Sequence, residues 1–118
     1  MPIIGKSNKY RVQVDFTRLL IETCGEKKTT LQEVTPGEIT YVEFHSILPD
    51  IVAIGGEGFY SAYDLSAKSS QQRLVTAECH GLVTDLRFLD RGSPSEPLEL
   101  EYTSIGNYKE TSAVYIPH

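Results

Sequence analysis

The sequence contains no tryptophan, one methionine and only two cysteines, Cys24 and Cys79. Two cysteines cannot build the disulfide framework of a small secreted domain. No apolar run approaches the roughly 20 residues that a membrane-spanning helix needs. The opening Pro2-Ile3-Ile4-Gly5 has neither the basic start nor the apolar core of a secretory signal. Positive charge is also scarce: 11 Lys and Arg stand against 16 Asp and Glu, a formal charge of −5. Phosphate binding calls for a surplus of Lys and Arg, which excludes nucleic acid as the main expected partner. Together these absences predict an intracellular protein without a membrane span. The 40% hydrophobic and 23% charged content is that of a folded chain, and 118 residues make one unit, spanning 1–118.

What the chain has in abundance is alternation. Tyr10, Val12, Val14 and Phe16 alternate with Arg11, Gln13 and Asp15. Similar runs lie at Ile39 to Phe44, Phe59 to Leu65, Leu82 to Phe88 and Leu98 to Tyr102, with a last apolar run at Ala113 to Ile116. Each is short, rich in β-branched and aromatic residues, and bounded by Gly, Pro, Asn or Asp, as strands are. Ile51-Val52-Ala53-Ile54 followed by Gly55-Gly56 reads as a buried strand ending in a turn. From Asp15 to Gly25 the pattern fits either a short capped helix over Phe16 to Cys24 or an extended segment or long loop. Elsewhere helical periodicity is poor, and the pattern predicts an all-β protein of about nine or ten strands.

The chain also resembles itself. Ile3 to Phe16 and Val52 to Leu65 both read as apolar strand, small polar turn, aromatic, alternating strand, Asp, apolar, about 49 residues apart. Pro36-Gly37-Glu38-Ile39-Thr40-Tyr41-Val42-Glu43-Phe44 and His80-Gly81-Leu82-Val83-Thr84-Asp85-Leu86-Arg87-Phe88 match at an offset of about 44. A weaker third copy starts near Leu98. The two offsets reconcile if the loop after Asp15, carrying Lys27-Lys28, is about five residues longer than the loop after Asp64. A unit of strand, turn, strand, turn, strand, turn, strand in about 44 residues has the size of one propeller blade.

On these residues the middle segment resembles a WD40 repeat. Tyr63-Asp64 stands where that family has its Trp-Asp pair, with Val14-Asp15 as a degenerate copy. His80-Gly81 stands at the family's Gly-His turn in reversed order, and Glu57-Gly58 at the tight turn before the third strand. The resemblance implies short antiparallel strands in about two and a half WD40-like blades: a partial one over 1–35, a complete one over 36–79 and a partial one over 80–118. Propellers close with about four to eight blades, so such a chain has open edges and calls for completion by a longer chain, a partner or its own copies. The alternative architecture, a compact β-sandwich or barrel, needs no completion.

Candidate chemistry is thin. Cys79-His80 is the only adjacent pair of metal-competent residues, and Cys24, His45 and His118 lack ligand spacing around it. Gly55-Gly56-Glu57-Gly58 lacks the following helix of a phosphate loop and reads as a tight turn. Asp15, Asp64, Asp85 and Asp90 read as turn-stabilising carboxylates rather than an acid–base pair across a cleft. Glu99 and Glu101 share a solvent face, either as a charged edge or as an acidic patch for a basic partner. Ser93-Pro94 sits in a polar, Pro-bearing loop and is a candidate phosphorylation site. No residue reads as catalytic, cofactor-binding or metal-ligating. The expected function is a non-catalytic protein–protein interaction or scaffold module, part of a larger propeller or assembly. The alternative is a small β-sandwich adaptor or inhibitor that binds a protein. The blade resemblance implies Asn8, Glu57, His80 and Gly81 as partner-binding positions, at turns toward one face, with a protein partner or self-association as the binding event.

Overall fold

Strand β1 (Tyr10–Asp15) buries Tyr10, half-buries Val12 and Val14, and sends Arg11, Gln13 and Asp15 to solvent. This is the alternation read from the sequence. The computed structural model describes residues 7–25, 28–68, 71–89, 98–106 and 108–114. Strand β2 (Arg18–Thr23) pairs antiparallel with β1, Val12 facing Ile21 and Asp15 facing Arg18, so Phe16-Thr17 is a two-residue hairpin loop. Strand β3 (Lys28–Val34) then pairs with β2 to complete a three-stranded sheet. The segment from Phe16 to Cys24 is therefore extended, not helical, because β1 and β3 both take its backbone hydrogen bonds. Lys28 begins a strand where a long loop was expected.

Strands β4 (Ile39–Phe44), β5 (Ile51–Asp64), β6 (Arg73–Leu89), β7 (Leu98–Ser104) and β8 (Tyr108–Val114) form a five-stranded antiparallel meander in chain order. The protein is all-β: the described residues hold eight strands and no α-helix, and their two sheets do not close into a barrel. Among them no helix is long and apolar enough to cross a membrane.

Two expected turns are absent as turns. The strands read at Ile51 to Ile54 and from Phe59 onward are one strand of 14 residues, and β6 runs 17 residues through His80-Gly81. Straight, β5 would measure about 45 Å, more than the longest dimension of the molecule, 40 Å. Yet Leu65 N, just past its end, donates to Asp50 O, just before its start, at 2.7 Å. The strand is thus sharply bent, and the bend falls on its glycines. A methyl group on Gly56 would sit 2.1 Å from Glu38 O, and one on Gly55 would sit 2.5 Å from Val83 Cγ1. These two glycines admit close neighbours rather than supplying a turn. Gly58 on β5 and Gly81 on β6 have φ of 78° and 71° and open space around them. Here the ladder steps from Glu57–Leu82 to Phe59–Glu78, two residues on β5 against four on β6. That is a bulge, which bends strands and is made cheaply by left-handed glycine.

The bulge also exchanges faces. Val52 and Ile54 before it, and Phe59 and Tyr63 after it, belong to one apolar cluster with Tyr10, Leu19, Ile21 and Leu31 of the three-stranded sheet. Ile51 and Ala53, then Tyr60 and Ala62, belong to a second cluster with Val83 and Leu86 of β6 and Leu98, Leu100 and Tyr102 of β7. Burying a large side chain contributes on the order of 1.5–3 kcal/mol, and β5 lends residues to both clusters. Polar ties seal the seams. Gln72 Nε2 donates to Thr30 O at 2.9 Å and Arg73 pairs with Glu33 at 2.6 Å, joining the start of β6 to β3. Lys9 Nζ (2.7 Å) and the Tyr10 hydroxyl both donate to Asp50, joining β1 to the β4–β5 turn. Among the described residues every buried side-chain polar atom has a partner.

Candidate functional site

Three of the four sequence candidates meet at the bulge. Glu57 pairs with Leu82, next to Gly81, and the backbone of His80 lies within the extra stretch of β6 opposite Gly58. Glu57 and Gly81 are exposed. Their backbone is well held: Glu57 N donates to Glu38 O at 2.9 Å and Ile105 N to Leu82 O at 3.0 Å. Asn8 stands apart, at the other end of β4. It lines a cleft of about 390 Å³ with Lys9, Phe44, His45 and Pro49, whereas Glu57 neighbours Glu38 at the start of that strand. Asn8 is therefore separate from the other three positions.

The metal-competent residues are scattered. Cys24 is exposed in the β2–β3 turn and Cys79 half-buried on β6; both thiols are free. Burial, then the Glu110 carboxylate, pushes the Cys79 thiol up, away from the reactive thiolate. Among the described residues no three His, Cys, Asp or Glu cluster to hold an ion. His118, Asp90 and Ser93-Pro94 lie outside the described residues. Asp64 stabilises its turn as read from the sequence, its Oδ1 accepting from Ser66 N (3.0 Å) and Oγ (2.6 Å). Glu101 is paired with Arg87 at 2.9 Å and Glu99 is exposed, so their strand face is only partly acidic.

Asp85 has company that the sequence did not disclose. Tyr41 and Glu43 project from β4 toward it, with the Tyr41 hydroxyl 3.4 Å from Glu43 Oε2. Burial, then bonding to Asp85, pushes the Tyr41 phenol up to about 12. Burial also raises the Glu43 carboxyl; the Tyr41 bond pulls it back and Asp85 adds to the rise. The trio stands along the β4–β6 seam and lines neither the cleft beside Asn8 nor the one on the three-stranded sheet.

The second cleft, about 540 Å³, lies on the three-stranded sheet between Asp15, Arg18, Leu20, Gln32 and Val34. At its end stand two large apolar residues in solvent, Phe16 (72% exposed) and Val34 (73%). Phe16 is the only non-glycine with positive φ among the described residues, 53°. Positive φ at the first loop position is the demand of a type II′ hairpin turn, which ordinarily selects glycine there. The turn is clamped from the β3–β4 link. Thr35 N (2.7 Å) and Oγ1 (3.0 Å) both donate to Thr17 O, and Ile39 N donates to Phe16 O at 2.8 Å. Sequence reasoning missed this place because Phe16 continues the alternation of β1; the available signal was a two-residue hairpin with no glycine in it. In the comparisons with known proteins, no protein-family model matches the chain and no curated protein matches its sequence.

Proposed function

We propose that the chain is a non-catalytic protein–protein interaction module whose principal contact is the outer end of the three-stranded sheet, at Phe16 and Val34. The observation that carries this reading is Phe16 itself. A left-handed conformation strains a non-glycine residue by on the order of 1–2 kcal/mol. Leaving a phenylalanine in water forgoes a further burial gain on the order of 1.5–3 kcal/mol. Neither loss serves the hairpin, which glycine would close without strain. The burial loss is recovered when the ring enters a partner's pocket, a gain that offsets the strain held in the turn, and buried aromatic anchors dominate such contacts. The neighbouring cleft supplies an apolar floor in Leu20 and Val34 and a charged rim in Asp15 and Arg18, the anatomy of an interface. The exposed Glu57 and Gly81, with His80 next to Gly81 on β6, form the secondary contact of this reading, and Asn8 a separate one.

The WD40 likeness belongs to the same proposal. Its support is connectivity, because β4 to β7 are successive antiparallel neighbours, as blade strands are. The self-contained adaptor or inhibitor is favoured by a different observation: both apolar clusters are filled from within the chain. Two free thiols suit the reducing interior of a cell.

The test is Phe16→Gly, which keeps the turn and removes the anchor. Tagged wild type and variant are used to capture partners, and each captured protein is purified and titrated against both. A partner that Phe16→Gly weakens by about thirtyfold, ~2 kcal/mol, supports the reading. Equal affinity for both chains overturns it.

A further inference from the structure

We infer that His45 makes the β4–β5 turn acid-sensitive, so that the wall of the cleft beside Asn8 is held at neutral pH and released in acid. Two backbone amides converge on one ring atom: Ile47 N and Leu48 N each lie 3.0 Å from His45 Nδ1. Both are donors, so Nδ1 presents its lone pair and the proton of the neutral ring sits on Nε2. Protonation places an N–H on Nδ1, against two others. The imidazolium cannot occupy the closed turn, and both amides lose their acceptor.

The ring is fixed by its surroundings. His45 N donates to Ile51 O at 2.9 Å, and the ring packs on Phe88 of β6 with centroids 5.0 Å apart. The turn displays Ile47, 76% exposed, and carries His45, Ser46 and Pro49 into the cleft opposite Ser7, Asn8 and Lys9. Titratable and charged groups come from each side. Lys9 lies across the cleft and is bound to Asp50 of the same turn. Glu43 precedes His45 by two residues on β4. Asp85 and Arg87 stand on β6, Arg87 paired with Glu101. The direction of the change comes from the two amides, because only the neutral ring accepts from them. Once the imidazole titrates, ordinarily near about pH 6.5, the closed-to-open ratio of the turn falls about tenfold per pH unit below the midpoint. Release disorders the display of Ile47 and one wall of the cleft, a contact separate from Phe16.

The experiment is NMR on the full chain between pH 7.5 and 5. Ring nitrogen shifts of His45 report its tautomer. Exchange of the Ile47 and Leu48 amides, corrected for the intrinsic pH dependence of exchange, reports turn closure, with the ladder amides of Gln13 and Ile21 as internal controls. The expected result is an Nε2-protonated ring at pH 7.5 and protection of Ile47 and Leu48 that falls at least about tenfold by pH 5 while the controls hold. His45→Asn places an amide oxygen where Nδ1 was, as in an Asx turn, and is expected to keep protection at both pH values. A ring protonated on Nδ1 at pH 7.5, protection unchanged through the His45 titration, or the same pH dependence in His45→Asn each overturns the inference.

Discussion

The chain takes up the left-handed backbone in two different ways. At the β5–β6 bulge, Gly58 and Gly81 adopt it with open space where a β-carbon would stand, and the result is shape: two long strands bend and change faces. At the β1–β2 tip, Phe16 adopts it against its preference and is held there by Thr35 and Ile39. The first use is architectural and nearly free of strain. The second is strained and leaves an aromatic ring in water, which architecture does not require. The contrast separates residues that make the fold from residues displayed by it.

The most severe way to break that contrast lies beside the bulge. Gly56→Ala drives a methyl into the Glu38 carbonyl, and backbone cannot step aside cheaply. A loss of about 3 kcal/mol or more is expected, read as the urea midpoint of unfolding, with the variant's solubility as a second sign. Next come the left-handed positions themselves. Gly58→Ala is expected to destabilise by about 1–2 kcal/mol, whereas Phe16→Gly changes stability by less than about 1 kcal/mol, strain relief being offset by added freedom in the unfolded chain. Equal losses at both positions would erase the distinction. Asp64→Ala removes two local bonds from the turn after β5 and is expected to lower stability by about 1 kcal/mol.

The smallest effect compares the two seams by pH. Glu43 takes up its proton more readily in the folded state. The stability of wild type relative to Glu43→Gln therefore rises as pH falls from 7, and levels off below the ordinary carboxylate value of 4.5. Asp50 behaves oppositely. Burial pushes its carboxyl up, but the bonds from Lys9 and Tyr10 outweigh this and hold it below its usual 3.8. Relative to Asp50→Asn, wild-type stability is fully present above that value and is lost as pH falls through the folded-state value below it. Urea midpoints measured across pH for the three chains show the two opposite slopes.

The strands at Tyr10–Asp15 and Leu98–Ser104 were legible because strict alternation and the burial of one face coincide there; Ile39–Phe44 was legible from its β-branched and aromatic residues, although Ile39 and Val42 are both buried across a register shift. Strand β3 was not, since Leu31 is its one buried apolar residue among Lys, Thr, Gln and Glu. Nor was β2, where Leu19-Leu20-Ile21 gives no period. The unity of β5 was hidden by its glycines, which mark a turn and a bulge alike. Its phase was nevertheless visible: Val52 and Ile54 are even-numbered, Phe59 and Tyr63 odd-numbered, and a one-residue slip in alternation is what a bulge leaves in a sequence. Of the candidate site, the meeting of Glu57 with Gly81 follows from pairing two glycine-marked breaks. The distance of Asn8 from them, and the trio of Tyr41, Glu43 and Asp85, depend on packing between elements remote in the chain, which local pattern does not carry.

The shared strand has a consequence for how the molecule comes apart. Because β5 supplies both apolar clusters, neither can melt and leave the other intact: loss of one strips a wall from its neighbour. The two halves then form one cooperative unit rather than separate foldons. Amide exchange through the largest opening should occur with the same free energy at Ile21 in the three-stranded sheet and at Leu100 in β7, although the two residues share no sheet.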